Sequence, residues 1–317
     1  MDNAIRHAIE KIFGNNIVVT DTKESNTAIT TKVTIELTDT VKHLFIKSSK
    51  PSSSYHNMAL REAEFYQLIN NVSDVIPYCH EAYVNGNDYR IILDDITETH
   101  TNTPNLDDEF TWLSCAESLA IFHAISWNQI PDEDMNVEQS LKDSEINLRD
   151  FLNYAGDRFD SETVTIYHKA FQYHAECLRE LEHRRKSKHN LTIINGDSHI
   201  YNFILPKSSG NPMIIDFQFW GSGIGAGDLA HLTRVAFPDK FKNSLHRKIV
   251  ERYHQTLMRY GITDYTLDEC ISDYRMNVAS MLLIPMWQYT AFGLNYDEWC
   301  GDIDGLLKNF IYVTEVL

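Results

Sequence analysis

The stretch from Leu191 to Leu232, LTIINGDSHIYNFILPKSSGNPMIIDFQFWGSGIGAGDLAHL, limits how this chain can fold more than any other. Two short β-like segments, Leu191–Ile194 and Met213–Phe217, each deliver a carboxylate into a turn, Asp197 and Asp216. Asn202 stands five residues after Asp197, ahead of a third apolar run, Phe203-Ile204-Leu205. An Asp and an Asn at that spacing are by themselves ordinary turn residues. Set between two strands, with a second Asp at the next strand's end, they have the layout of a phosphoryl-transfer catalytic loop followed by a metal-binding strand end. That chemistry needs a carboxylate to orient an attacking hydroxyl and accept its proton, and a magnesium ion held against the phosphates. Magnesium takes oxygen ligands, which the Asn202 amide and the Asp216 carboxylate offer.

The segment resembles the signature of the aminoglycoside phosphotransferase and choline kinase superfamily, small-molecule kinases with a protein-kinase-like fold. Ile215-Asp216-Phe217-Gln218, a Gly-rich turn and Asp228-Leu229-Ala230 are most similar to its ecdysteroid-kinase-like branch. The family usually has a His before the Gly-Asp pair, where this chain has Asn195. That His chiefly braces the loop, and Asn can also bond to nearby backbone, so activity is expected to survive. The resemblance implies an α+β, two-lobe fold. A small, mainly antiparallel β lobe (residues 1–96) would bind the nucleotide, and a larger, mostly helical lobe (97–317) would carry catalysis and the acceptor. It implies ATP and Mg2+ as cofactors and transfer of the γ-phosphate to a hydroxyl of a small acceptor. Asp197 would be the catalytic residue, Asn202 and Asp216 the metal ligands, and Asp228 a brace beneath the catalytic loop.

The N-terminal part agrees with that layout. Ile5, Ala8, Ile9 and Ile12 share one helical face, so a short helix is expected over residues 2–13. Three β-like runs follow, Ile17–Thr20, Thr30–Leu37 and Val41–Ser48, with alternation clearest at Val33, Ile35 and Leu37. Between the first two, Asp21–Thr30 stands where a phosphate-covering loop would be, yet has no glycine to bring backbone N–H groups close to phosphates. Ser25, Asn26 and Thr27 could substitute, and a plain hairpin loop fits equally. Lys47 leaves the third strand, and a helix over Tyr55–Asn70 carries Glu62 and Glu64. Kinase-like folds pair a strand Lys with a helix Glu, the Lys then reaching the α- and β-phosphates. The two glutamates lie roughly 200° apart around the helix, so only one can face the strand; the resemblance favours Glu62. Two further strands, Tyr78–Val84 and Tyr89–Leu93, flank Asn85-Gly86, a hairpin signal. Leu93-Asp94-Asp95-Ile96 resembles the family's inter-lobe linker, whose backbone would bond an adenine edge while apolar side chains sandwich the base. Leu93, Asp94 and Ile96 are therefore nucleotide-site candidates with Lys47 and Glu62, although the Asp94 and Asp95 carboxylates read as structural or solvated.

Beyond a turn-rich boundary at Thr97–Asp107 the pattern is helical: Asp108–Ser126, Leu141–Tyr154, Glu162–Arg185, Asp239–Gly261, Leu267–Phe292 and Tyr296–Val316, with a loop at Asn128–Ser140. His123 reads as a packed core His. The basic run from His183 to Lys188 reads as cations offsetting a helix C-terminus. Asp228 reads as an N-cap, and Gly221, Gly223, Gly225 and Gly227 as a flexible turn in the place of an activation segment. Aromatic and acidic residues between Trp287 and Asp304 are either core packing or a pocket wall suited to an amine-bearing alcohol.

Composition narrows the partners. A net charge of −17 argues against nucleic acid or an anionic membrane and favours a cationic or neutral substrate. No stretch approaches a membrane span, and Met1-Asp2-Asn3 opens no secretory signal. Five scattered cysteines, without C-x-x-C spacing, suit reduced thiols in a cytoplasmic protein with no zinc site. Two rivals stand beside the small-molecule kinase. One is a nucleotide-binding pseudokinase scaffold, which Asn195 and the glycine-free loop would suit. The other is a protein kinase, against which the absence of an Ala-Pro-Glu segment counts.

Overall fold

The computed structural model describes residues 3–14, 17–24, 28–36, 40–50, 56–69, 71–131, 136–241, 244–293 and 295–317. The fold is α+β and divides into two compact units, Met1–Pro104 with Tyr201–Trp220, and Asn105–Ile200 with Gly221–Leu317.

The first unit is built on a five-stranded antiparallel sheet in the order β1-β2-β3-β5-β4. Its strands are β1 (Ile17–Glu24), β2 (Ala28–Glu36), β3 (Val41–Ser49), β4 (Cys79–Asn85) and β5 (Asp88–Asp94). Successive strand residues point to opposite faces, and here that rule sorts core from site. Leu44 and Ile46 of β3 join Val33, Ile35 and Ile92 and close a core with Ile5, Ala8 and Ile9 of α1 (Asn3–Phe13). Each such Val, Leu or Ile side chain contributes roughly 1.5–3 kcal/mol when fully buried. Phe45 and Lys47 therefore lie on the other face, against which α2 (His56–Ile69) packs. The ladder between β1 and β2 runs out to Glu24 and Ile29, so most of the expected Asp21–Thr30 loop is strand. Ser25, Asn26, Thr27 and Leu37 lie outside the described residues. Asn85 pairs with Asp88, and the turn between β4 and β5 takes its positive φ (58°) at Gly86 alone.

Residues 201–220 return to this unit. Past β7 (Thr192–Ile194) of the second unit come β8 (Phe203–Pro206) and β9 (Met213–Ile214), which form a three-stranded sheet with β6 (His100–Thr101). Ile214 N–H also donates to the Val75 carbonyl at 2.8 Å. This pairing is why the compact division differs from a single cut at residue 96. Strand β9 is shorter than the expected Met213–Phe217 because Asp216 takes a left-handed φ of 61°, which ends the extended backbone.

The second unit is helical: α3 (Glu109–Ile125), α4 (Val137–Ala155), α5 (Ser161–Ser187), α6 (Ala226–Leu232), α7 (Leu245–Arg259), α8 (Leu267–Met281), α9 (Ile284–Phe292) and α10 (Tyr296–Glu315). Helix α8 packs against α5, α6, α7 and α10. Helix α4 starts within the expected loop, because the Asn136 side chain caps it by accepting the Gln139 N–H. The expected helix over 267–292 is two helices, since Pro285 near the start of α9 has no N–H to continue α8. The glycine run is no free turn: Gly221–Gly223 forms β10, paired antiparallel to β7, and α6 begins at Ala226. The two strands approach closely, and a Cβ on Gly223 would force the Ile194 side chain to shift. Arg184 of the basic run is buried, with bidentate bonds to Asp273 at 2.7 and 2.9 Å. Cys79, Cys115, Cys177 and Cys270 are free thiols, and no described helix is long and apolar enough to cross a membrane.

Candidate active site

Strand alternation aims Lys47 at α2, where its ammonium donates to both carboxylate oxygens of Glu62 at 2.8 Å. Glu62 is 2% exposed, whereas Glu64 faces solvent, the geometric consequence of their separation around the helix. The backbone N–H of Phe217 donates to Glu62 as well. Asp216 lies 3.7 Å from Lys47. Burial works against the Lys47 ammonium, but Glu62 and Asp216 outweigh it and hold its pKa above the ordinary lysine value. Burial is also the largest influence on Glu62 and raises its pKa, with Lys47 and the Phe217 N–H acting in the opposite direction. Asp216 pays for its φ of 61° with backbone strain of the sort concentrated at functional positions.

The segment after Asp216 is fastened to α2. Phe217 stacks on Phe65 at 3.7 Å between ring centroids. The Trp220 indole N–H donates to the Arg61 carbonyl at 2.6 Å, the Arg61 guanidinium donates to the Trp220 carbonyl, and it lies over the indole ring. Sequence reasoning missed this clasp, because nothing periodic links residues 159 positions apart.

Asn202 and Asp216 share one end of the β8–β9 pair. Phe203 is in register with Ile214, and the Ile215 N–H donates to the Asn202 carbonyl at 2.9 Å. Beside Lys47 and Glu62 opens a cavity of about 160 Å³ walled by Phe45, Leu93, Ile96, Ile204 and Ile215, with Asp94 and Asp95 also in its lining. That is below the roughly 300–1,000 Å³ of sites holding whole drug-sized ligands, so it is a ring-sized slot. The Asp94 carboxylate is bound to Lys42 and His80, and that of Asp95 to Lys32. Burial opposes the Asp95 charge, but Lys32 and Thr97 outweigh it and lower its pKa. The N–H groups of Asp94 and Asp95 are taken by the Tyr78 and His43 carbonyls, and the Ile96 carbonyl by Thr99 and His100. Of the expected linker contacts with an adenine edge, the donor not used by these bonds is the N–H of Ile96.

Asp197 belongs to the second unit. Its loop hangs from Asp228, which is fully buried in the first turn of α6 and is not the expected N-cap. The Asp228 carboxylate accepts the N–H of Asn195 at 2.7 Å and of Gly196 at 2.9 Å. His123 bonds to it through Nε2 at 3.1 Å and to the Tyr253 hydroxyl through Nδ1 at 2.8 Å. Burial would raise the Asp228 pKa, but His123 and the two backbone donors more than offset it and hold the carboxyl below its ordinary value. Asn195 is buried and accepts the Asp197 N–H on its side-chain oxygen at 3.0 Å. Asp197 itself meets Arg234, a residue no sequence pattern singled out. In the aromatic stretch Tyr289 stacks on Tyr154 and Trp287 meets His174, while Phe292 and Asp304 are exposed. The side chains of Tyr296, Asp297, Glu298, Trp299 and Asp302 lie outside the described residues.

No curated protein sequence matches the chain significantly. Among solved structures, a microcompartment-associated aminopropanol kinase is similar at TM-score 0.55 and 12% identity, over 99% of this chain and 97% of that one. The gentamicin–APH(2″)-IIa complex gives 0.54 and 15%, over 100% and 97%. An ethanolamine kinase from Plasmodium vivax gives 0.53 and 12%, over 94% and 82%. The shared fold is protein-kinase-like. The sequence model of the ecdysteroid kinase-like family matches residues 49–262, a span holding Glu62, Asp197, Asn202, Asp216 and Asp228. With more than half of its length so matched, the chain belongs to the ecdysteroid kinase-like family.

Proposed function

We propose that this protein is an ATP-dependent kinase that moves the γ-phosphate of ATP onto a hydroxyl of a small acceptor. The observation that carries the reading is the 2.8 Å contact of Lys47 with Glu62, with Asp216 3.7 Å from Lys47, beside a ring-sized apolar slot. In this reading the adenine enters between Phe45, Leu93, Ile96, Ile204 and Ile215, with the Ile96 N–H as its donor. Lys47, held by Glu62, reaches the phosphates. Asn202 and Asp216 fit magnesium: both offer oxygen, they share one hairpin end, and magnesium takes few protein ligands because phosphates and water complete its shell. When bound, the ion neutralises the phosphate charge that builds up during transfer. Asp197 orients the acceptor hydroxyl and takes its proton as that oxygen bonds to the γ-phosphorus and ADP departs. An amine-bearing acceptor is supported by the net charge of −17 and by the named substrates of the aminopropanol and ethanolamine kinases.

The test begins without an acceptor. The thermal midpoint is recorded with and without Mg-ATP for wild type and Asp216→Asn, then phosphate transfer to ethanolamine, 1-amino-2-propanol and gentamicin is measured. Ligand at one hundred times its dissociation constant adds about 2.7 kcal/mol, a shift of several degrees, and the variant should lose most of it along with transfer. The reading fails if wild type does not shift at millimolar nucleotide, or if Asp216→Asn turns over within tenfold of wild type.

A further inference from the structure

Resting on that reading for the reaction itself, we infer that Arg234 positions the Asp197 carboxylate: its guanidinium occupies Oδ1, so that Oδ2 is the oxygen that receives the acceptor's proton. Helix α6 governs the catalytic loop twice. In its first turn Asp228 holds the backbone through the Asn195 and Gly196 N–H groups. At its far end it delivers His231, and two residues past its end the chain delivers Arg234, to the side chain. Arg234 Nη2 lies 3.3 Å and His231 Nδ1 3.8 Å from Asp197 Oδ1, while His199 Nε2 lies 3.6 Å from Oδ2.

The positive charge on the Oδ1 side comes from Arg234. Burial, and then the neighbouring Arg234, push the His231 pKa down to about 4, so that ring is neutral at physiological pH. The backbone under Arg234 is pinned. Its N–H donates to the His231 carbonyl at 3.1 Å, the Asn309 amide donates to the Thr233 carbonyl at 3.0 Å, and the Thr233 hydroxyl bonds that of Tyr274 at 3.0 Å.

A buried arginine kept for structure looks different, and this chain contains one. Arg184 makes a bidentate pair with Asp273, a bond to Glu180 at 2.7 Å and one to the Asn190 carbonyl. Arg234 is as deeply buried, its side chain 9% exposed, yet its Nε has no hydrogen-bond partner and its ion pair is with Asp197. A guanidinium left so poorly satisfied is costly, and its cost is offset here by one carboxylate, that of the residue assigned to receive the proton. Holding that carboxylate in one orientation is what reaction at a defined geometry requires.

Two measurements test the assignment. The first needs no turnover: crystal structures of wild type and Arg234→Gln, with urea midpoints confirming that both fold. The Asp197 carboxylate should be a single conformer in wild type and rotated or split in the variant; an unmoved carboxylate overturns the inference. The second is kinetic, following ADP release from Mg-ATP with ethanolamine, gentamicin or water as acceptor. In Arg234→Gln, kcat should fall at least tenfold with KM for ATP within twofold, and the acid limb of the rate profile should move to higher pH, because the carboxylate loses the cation that favours its charged form. Arg234→Lys should return kcat to within threefold of wild type. Wild-type kcat in Arg234→Gln, or an equal loss in Arg234→Lys, refutes the role. If wild type transfers phosphate to none of these acceptors, the kinase reading is what fails, and the crystal comparison still decides Arg234.

Discussion

Replacing Asp228 with Asn should separate the catalytic loop from its anchor while changing almost no volume. The carboxylate accepts three bonds, from the Asn195 and Gly196 N–H groups and from His123. Bonds to a charged acceptor contribute about 1.5–3 kcal/mol each. An amide keeps one oxygen but turns an NH2 toward a backbone donor, so at least one bond is lost and the rest lose their charge. The site is fully buried, and water cannot replace what is lost. The expected destabilisation is about 3–5 kcal/mol. The sign with pH follows from the depressed folded pKa of Asp228. Its contribution is full above the unfolded carboxyl value of about 3.9 and disappears as pH falls through the lower folded value. Urea unfolding of wild type and Asp228→Asn should therefore differ most at neutral pH and converge in acid. Hydrogen exchange should show the Asn195 and Gly196 amides losing protection in the variant. A stability loss below about 1 kcal/mol at pH 7, with both amides still protected, would refute the anchoring argument.

Three further perturbations act elsewhere. Glu62→Gln removes one charge of a buried pair, which costs about 3–5 kcal/mol; Asp216 at 3.7 Å keeps the loss at the lower end, read from urea midpoints, and the Mg-ATP thermal shift should shrink. Trp220→Phe deletes the indole bond to Arg61 but keeps a ring, so about 1 kcal/mol should be lost in the same urea assay, with a raised KM for ATP as the clasp on α2 loosens. Gly225→Ala places a methyl against the Tyr253 hydroxyl and His123, and overpacking of about 1–3 kcal/mol, together with a broken Tyr253–His123 bond, should lower the urea midpoint.

The sequence by itself determined what is local. Period-two alternation put Leu44 and Ile46 on one face of β3 and Lys47 on the other, and period-3.6 spacing set Ile5, Ala8 and Ile9 against the sheet. The same locality let Asp197, Asn202 and Asp216 be read as candidates, because a loop between short strands is written within a few dozen residues. Where local signals were read too simply, the chain itself held the correction: Pro285 divides α8 from α9, and a glycine run can be a strand when its partner packs close. Only the tertiary structure decided which side chains meet across distance. Asp228 reaches back 33 residues to Asn195, Trp220 reaches 159 residues to Arg61, and Arg234 comes to Asp197 from beyond the end of α6. No periodicity encodes such contacts. They exist because packed helices and paired strands carry distant residues to one place, where burial makes each unpaired polar group too costly to leave alone.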